Sequence, residues 1–317
     1  MKPIRKTHRN RIEGAIYGAI LGDAMGVPVE FRSRRELTRD PVIGFESGGT
    51  HGQPRYAWSD DSALMLAQMD SLVKKKKVNY ADQAVRFLQW RDDAKYTSHG
   101  RVFDIGGATS ASLERLRYLK DPTRAGSANV LCSGNGALMR ILPLCIWLAE
   151  HEPDLDKALK VVEKCSSMTH RSKISIRCCQ FYSLVVRGIL TGGCVGYGML
   201  LARENMKQRK IFDLLFNETR LWGFQKLRIG DIRSSGYVVD TLEAALFCVQ
   251  QNKSDVMESI LAAVNLGGDT DTTACVAGGL AGLSRGLHNI PDCHILAIEK
   301  HRKIKQIISS FVDLSEG

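Results

Sequence analysis

Across residues 11–26 a glycine returns at every fourth position, at Gly14, Gly18, Gly22 and Gly26, with Ala15 and Ala19 beside them. Residues four apart share one face of an α-helix. The segment therefore predicts a helix with one stripe almost bare of side chains, along which a second backbone can approach. The chain interrupts the pattern only at Pro28. Such spacing also occurs in membrane helix pairs, but Glu13 and Asp23 in so short a segment favour close packing in a soluble protein. A second stripe, Ala274, Ala277, Gly278, Ala281 and Gly282, predicts another tightly packed helix ending near Gly286.

Apolar residues at three- and four-residue spacing predict further helices over residues 63–73, 81–90, 155–162, 174–189, 237–249 and 256–264. Sustained two-residue alternation is scarce. No Pro- or Ser-rich linker divides the chain, and no fixed-period repeat is present. The expectation is an all-α chain forming a single domain over 1–317. Residues 1–10 would be a disordered basic tail, with loops at 32–57, 123–135 and 223–235.

Composition narrows the class. A hydrophobic content of 44% is enough for a packed interior, and 25% charged residues is ordinary for a soluble protein. The nine cysteines form no CxxC pair, and an odd number without a secretory leader predicts reduced thiols and a cytoplasmic location. The uncharged run 188–202 is too short to span a bilayer. Glycines between 192 and 198 follow no strand pattern, so a dinucleotide fingerprint is not indicated, and no P-loop occurs. A net charge of +10 and a pI near 9.2 suit an anionic partner, a nucleotide or nucleic acid. The densest basic run, Lys74 to Lys77, has no aromatic residues alternating with it and reads as a solvated helix end.

Two acidic clusters carry the chemistry: Ser59-Asp60-Asp61-Ser62, and Gly267-Gly268-Asp269-Thr270-Asp271-Thr272. Each sets two carboxylates beside hydroxyls. Should the fold join them, each like-charge contact at about 4 Å would cost on the order of 4 kcal/mol at an effective dielectric near 20. Protons or cations must relieve that, and an all-oxygen ligand set suits two Mg²⁺ or Mn²⁺ ions. Both clusters belong at loop-to-helix junctions, where first-turn irregularity lets adjacent carboxylates aim at one point and the helix dipole favours negative charge. Plain helix caps are the competing reading.

The residues resemble those of the ADP-ribosylglycohydrolase family, especially its dinitrogenase-reductase-activating branch. The likeness runs in order from the segment Gly14 to Phe31, through Trp58 to Ser62, Phe103-Asp104-Ile105-Gly106, Ser133 to Arg140 and Thr169-His170, to Ser235 to Ala245 and Gly267 to Thr272. It implies a compact orthogonal multi-helix domain with a binuclear metal cleft. By position, the metal ligands would be Ser59, Asp60, Asp61, Asp269, Asp271 and Thr272, with Ser59 standing where the family usually has Thr. Glu30 and Asp104 match acidic residues placed near the metals and the chemistry, so Glu30, Asp104 and Asp269 are the catalytic candidates. Ala108 stands where a polar residue is common in the family.

Each candidate has a plainer alternative. Glu30 precedes basic residues from Arg32 to Arg35, so it is either a surface ion-pair partner or a base that orients water. Asp104 is either an Asx-type turn residue or an acid/base beside the distal ribose. Around Asn135 and Gly136 the chain is either an ordinary turn or a loop whose N–H groups reach a pyrophosphate. His170 is either structural or cleft-lining, and Tyr237 either core or a stacking platform. With Gly268, these four complete the candidate substrate contacts.

The function expected is a metal-dependent hydrolase cleaving the glycosidic bond of ADP-ribose. Metal ions would hold the distal ribose and activate a water, while carboxylates stabilise oxocarbenium-like charge. Arginine on a protein is the expected acceptor, because Ser235 to Ala245 resembles the arginine-acting branch. The protein is expected to act as a monomer. Alternatives are an enzyme acting on ADP-ribosylated nucleic acid or another O-linked ADP-ribose, and a non-catalytic ADP-ribose-binding relative.

Overall fold

The chain runs helix after helix. A computed structural model describes residues 2–209, 227–252 and 255–315. Its first half contains α1 (Lys2–Gly26), α2 (Arg34–Arg39), α3 (Asp60–Lys75), α4 (Tyr80–Asp93), α5 (Gly107–Leu116), α6 (Leu142–His151) and α7 (Leu155–Ser167). The second contains α8 (Lys173–Gly192), α9 (Val195–Gln208), α10 (Val238–Gln251), α11 (Val256–Val264), α12 (Thr270–Arg285), α13 (Asp292–Glu299) and α14 (Arg302–Ser315). Among the described residues, strand-like pairing is confined to the isolated bridges Gly48–Gln53, Ser127–His170 and Gly134–Tyr237. The all-α expectation holds.

The two small-residue stripes pack on each other, antiparallel. A Cβ built on Gly18 would lie 2.3 Å from the Gly278 carbonyl oxygen, and one on Gly22 only 2.0 Å from that of Ala274. At the far end, a Cβ on Gly26 would lie 2.4 Å from the Asp271 Cα. Main chain thus touches main chain from Gly14 against Gly282 down to the start of α12. Ile12, Ile16, Ile20 and Leu21 of α1 are fully buried against other helices, each contributing about 1.5–3 kcal/mol by burial. Around this pair, α10 and α11 pack on α12, and α3 and α14 pack on α1.

Side-chain caps fix several helix starts. Ser59, Asn79, Asp154, Ser172 and Asp255 accept first-turn backbone N–H groups of α3, α4, α7, α8 and α11. The expected loop 32–57 contains one short helix, α2, started by a reciprocal Ser33–Glu36 capping box. The uncharged run 188–202 spans the end of α8 and the first turns of α9, where Gly188 and Gly198 let the two helices approach closely. The loop expected over 123–135 holds single turns at Pro122–Arg124 and Val130–Cys132. Of the loop expected over 223–235, residues 223–226 lie outside the described residues.

α1 starts at Lys2, and Arg9 bonds Glu13 and Asp313 while Asn10 accepts from or donates to His288. These contacts tie residues 9 and 10 to α14 and to the single turn Leu287–Asn289. Lys74 to Lys77 close α3 as exposed residues. All nine cysteines are free thiols. No helix of the described residues is long and apolar enough to cross a membrane.

A side chain on the bare stripe must push two backbones apart. Gly22→Val is expected to cost about 3 kcal/mol through overpacking and to lower Tm by roughly 5–10 °C, read by thermal circular dichroism. An unchanged Tm would contradict the contact.

Candidate metal centre and active site

Where α1 ends, the site begins. Beyond Gly26, a single turn over Val27–Val29 holds Pro28 at its start and delivers Glu30. The following segment folds back tightly: Gly49 sits at φ +64°, and a Cβ there would lie 1.8 Å from the Pro28 oxygen. Thr50 Oγ1 donates to the Glu30 carbonyl at 2.6 Å, and His51 Nε2 bonds Glu30 Oε2. Phe31 N donates to Gly268 O at 2.7 Å, and Gly268 N donates to Arg32 O at 2.8 Å. Gly268 adopts φ +76°, and a Cβ there would strike the Ser234 oxygen at 2.3 Å. Only glycine meets both demands. Glu30 is thereby stitched to the loop that enters α12.

The first acidic cluster arrives from α3. Ser59 caps that helix, and buried Asp23 of α1 holds the cap in place. Asp23 accepts from Ser59 N at 2.9 Å, Ser62 N at 2.9 Å and Ser62 Oγ at 2.6 Å. Asp61 Oδ2 then accepts from Ser59 Oγ at 3.2 Å and from Thr272 Oγ1 at 3.3 Å. This last bond joins the two clusters directly. Oxygens of Glu30, Asp269 and Asp271 lie within 4.8 Å of one another, as do ligand atoms of Glu30, His51 and Asp104. Asp104 stands in the left-handed region at φ +54°, a conformation that costs on the order of 1–3 kcal/mol outside glycine.

So much buried negative charge raises the carboxyls at its centre. Burial, then Asp104 and Asp269, push the Glu30 carboxyl up to about 10. Burial first and neighbouring carboxylates second raise Asp60, Asp61 and Asp271 well above the usual range. Asp23 rises only to about 6, because the Ser62 and Ser59 hydrogen bonds oppose its burial. Asp61 Oδ1, Asp269 Oδ1 and Asp271 Oδ2 are buried with no hydrogen-bond partner among the described residues. Orphaned carboxylate oxygens cost free energy unless something positive meets them. Converging carboxylates and hydroxyls are the donor set of a hard divalent cation, and these residues fit one.

The remaining candidates occupy one side of this acidic floor. Asn135 Nδ2 donates to Asp269 Oδ2 at 2.8 Å and to Thr241 Oγ1 at 2.9 Å, so its side chain holds a carboxylate. The Gly134–Tyr237 bridge, with Val238 N donating to Ser133 O at 3.1 Å, brings Tyr237 beside the same loop. His170 is buried behind it: a Cβ at Gly136 would come 2.7 Å from its Cε1. Burial and Arg140 push the His170 imidazole down to about 3. A neutral buried ring wedged under the glycines favours the structural alternative for His170. Glu30 is buried too, and Arg32 pairs instead with Asp40, so the surface ion-pair alternative for Glu30 falls.

Two participants went unread in the sequence. Asp23 lies inside the first glycine stripe, where it looks like one polar residue on a helix. His51 lies in the long segment before α3, which has no periodicity. Its ring centroid stands 6.2 Å from Phe31 and 5.5 Å from Phe103. Phe31 is exposed, so the three rings form a wall above Glu30 and Asp104.

Comparison with known proteins agrees with this geometry. Residues 4–317 match the ADP-ribosylglycohydrolase family. The chain is 32% identical to the ADP-ribosylarginine hydrolase Tri1 of Pseudomonas putida (strain GB-1), over 96% of this chain and 78% of that protein. It is 28% identical to the ADP-ribosyl-[dinitrogen reductase] glycohydrolase of Rhodospirillum rubrum, over 96% and 97%. Among solved structures, an ADP-ribosylglycohydrolase-related protein complex superposes with a TM-score of 0.81 at 28% identity, over 98% of this chain and 99% of that one.

The raised carboxyls fix the sign of a pH effect. In the metal-free protein they hold protons at a pH where the unfolded chain has lost them, so stability falls as pH rises from about 4. Glu30 extends that fall toward about 10. In EDTA, Tm is expected to be higher at pH 5 than at pH 8, followed by scanning calorimetry. The opposite slope would refute the buried cluster.

Proposed function

The chain belongs to the ADP-ribosylglycohydrolase family, and from that premise we propose that it releases ADP-ribose from arginine side chains of modified proteins, using two divalent cations, Mg²⁺ or Mn²⁺. The observation that carries this reading is the joined pair of acidic clusters with three orphaned buried carboxylate oxygens. Ser59, Asp60, Asp61, Asp269, Asp271 and Thr272 would hold the cations. Bound there, divalent ions supply Lewis-acid charge to the ribose hydroxyls and to the attacking water.

The chain's own groups divide the substrate by charge. The loop around Asn135 and Gly136 is uncharged and glycine-rich and suits the pyrophosphate side, with Tyr237 beside it and Gly268 among the substrate contacts. The opposite side pairs Glu30 and Asp104 with the rings of Phe31, His51 and Phe103. Carboxylates under aromatic faces attract a guanidinium and repel a phosphate. Arginine is the acceptor that this side fits. Two curated relatives, at 32% and 30% identity, are named ADP-ribosylarginine hydrolases.

Water attacks the anomeric carbon, and the bond to the guanidine nitrogen breaks as the carbon–oxygen bond forms. The Glu30 carboxyl, ionised by divalent charge bound beside it, takes the water proton, while Asp104 and Asp269 face the positive charge that grows on the ribose. The guanidine leaves and takes up a proton. His51 holds Glu30 in place. The positive net charge alone favours a nucleic-acid substrate, and its densest run closes α3 as a solvated end. The protein-linked reading is therefore preferred.

An ADP-ribosylated arginine peptide should lose ADP-ribose in Mn²⁺ or Mg²⁺ and keep it in EDTA. Asp271→Asn is expected to lower kcat by roughly 10²–10³-fold. Full turnover in EDTA would sink the proposal. Phe31→Ala should raise KM for the arginine substrate by roughly 5–30-fold, as about 1–2 kcal/mol of cation–π attraction is lost. Steady-state kinetics separate the two effects.

A further inference from the structure

A cavity of about 680 Å³ lies away from the acidic cluster, between α3, α4 and the start of α14. Its size is that of a small-molecule pocket. Part of its lining is apolar: Ile304, Ile307 and Tyr96. Tyr96 is fixed there, because its hydroxyl donates to Asp70 Oδ2 at 2.9 Å and accepts from Arg86 at 3.0 Å. Arg86 in turn bonds Asp70 and Asp82, so its charge is already matched.

Another part of the lining is basic. Lys95, Lys300, Arg302 and Lys303 line the cavity, and none has an ion-pair partner among the described residues. Asp93 is the one carboxylate there outside the Arg86 network. Four unmatched cations around one opening call for a ligand carrying several negative charges, and arginine with lysines is the combination that suits phosphates. A ligand with only one or two carboxylates leaves most of that charge unanswered.

We propose that this cavity binds a small polyphosphate of nucleotide size, its phosphates on Lys95, Lys300, Arg302 and Lys303 and its apolar part against Tyr96 and Ile307. The pocket reaches the first acidic cluster through one residue: the Tyr96 carbonyl accepts the Trp58 indole N–H at 2.8 Å, and Trp58 precedes the Ser59 cap. The His301 ring meets Trp58 edge-on, with centroids 4.9 Å apart. Nothing in this inference depends on the reading of the acidic site.

The test is calorimetric titration of the full chain, without divalent ions, using inorganic tripolyphosphate and then ATP as probes. One saturable site is expected for each, with ATP the tighter. Lys300→Ala/Arg302→Ala should weaken both by at least about tenfold. Ile307→Trp, which fills the apolar part and leaves every charge in place, should remove the advantage of ATP. Lys74→Ala/Lys75→Ala should change neither. Absence of saturable binding, or equal weakening by the Lys74/Lys75 variant, overturns the proposal. The replaced lysines and arginine are exposed, and melting without ligand verifies that each variant is folded.

Discussion

Bare backbone against bare backbone, from Gly14 on Gly282 to Gly26 on Asp271, is the contact on which the rest of the structure depends. It has a mechanical consequence. Several carboxylates share a buried volume at the end of the α1–α12 pair, and each close like-charge contact pushes with about 4 kcal/mol at an effective dielectric near 20. Long side chains between the helices could yield by changing rotamer. Main chain packed on main chain has no such freedom, so repulsion cannot readily separate Glu30 from Asp271.

Hydrogen bonding completes what packing starts. Asp23 spends its acceptor capacity on two backbone N–H groups and one hydroxyl at the head of α3, which locks the direction in which Asp60 and Asp61 leave the helix. Asn135 does the same for Asp269 from the opposite side. Both residues act on the carboxylates, one from beneath and one from the rim. Within the acidic site, Asp61, Asp269 and Asp271 each keep a buried oxygen without a hydrogen-bond partner among the described residues, and these three belong to both clusters. Satisfied donors surround the centre, and unsatisfied acceptors face into it.

Much of this was legible in the residues, and the illegible part has identifiable causes. Spacing reveals which face of a helix is bare, so both small-residue stripes could be read as close-packing helices. It does not say what packs there, and their mutual pairing emerged only from coordinates. The acidic clusters were readable because hydroxyls and carboxylates at helix starts are a local pattern. Asp23 was not, since a single aspartate on a helix carries no local sign that its partners lie 36 and 39 positions away. His51 depends on the turn at Gly49 and on Gln53, whose Nε2 donates to the His51 oxygen at 2.6 Å. That geometry leaves no periodicity behind. Nor could the sequence tell that Arg9 and Asn10 meet Asp313 and His288, which stand at the other end of the chain.

Charge asymmetry across the acidic floor gives the proposed reaction its direction. A substrate joining a pyrophosphate to a guanidinium carries opposite charges at its two ends. The glycine-rich loop at Gly134 and Gly136 stands over a histidine held neutral, its pKa pushed down to about 3, so that side offers backbone dipoles without a competing titration. Phe31 reaches the other side because it stands at φ +66° and its N–H is bound to the Gly268 carbonyl. An ordinary extended backbone would direct that ring elsewhere. The bond that holds Phe31 over the cleft is also one of those that hold Glu30 against the loop entering α12. Acceptor recognition and carboxylate placement are therefore set by the same few backbone contacts, and a change at Gly268 would disturb both together.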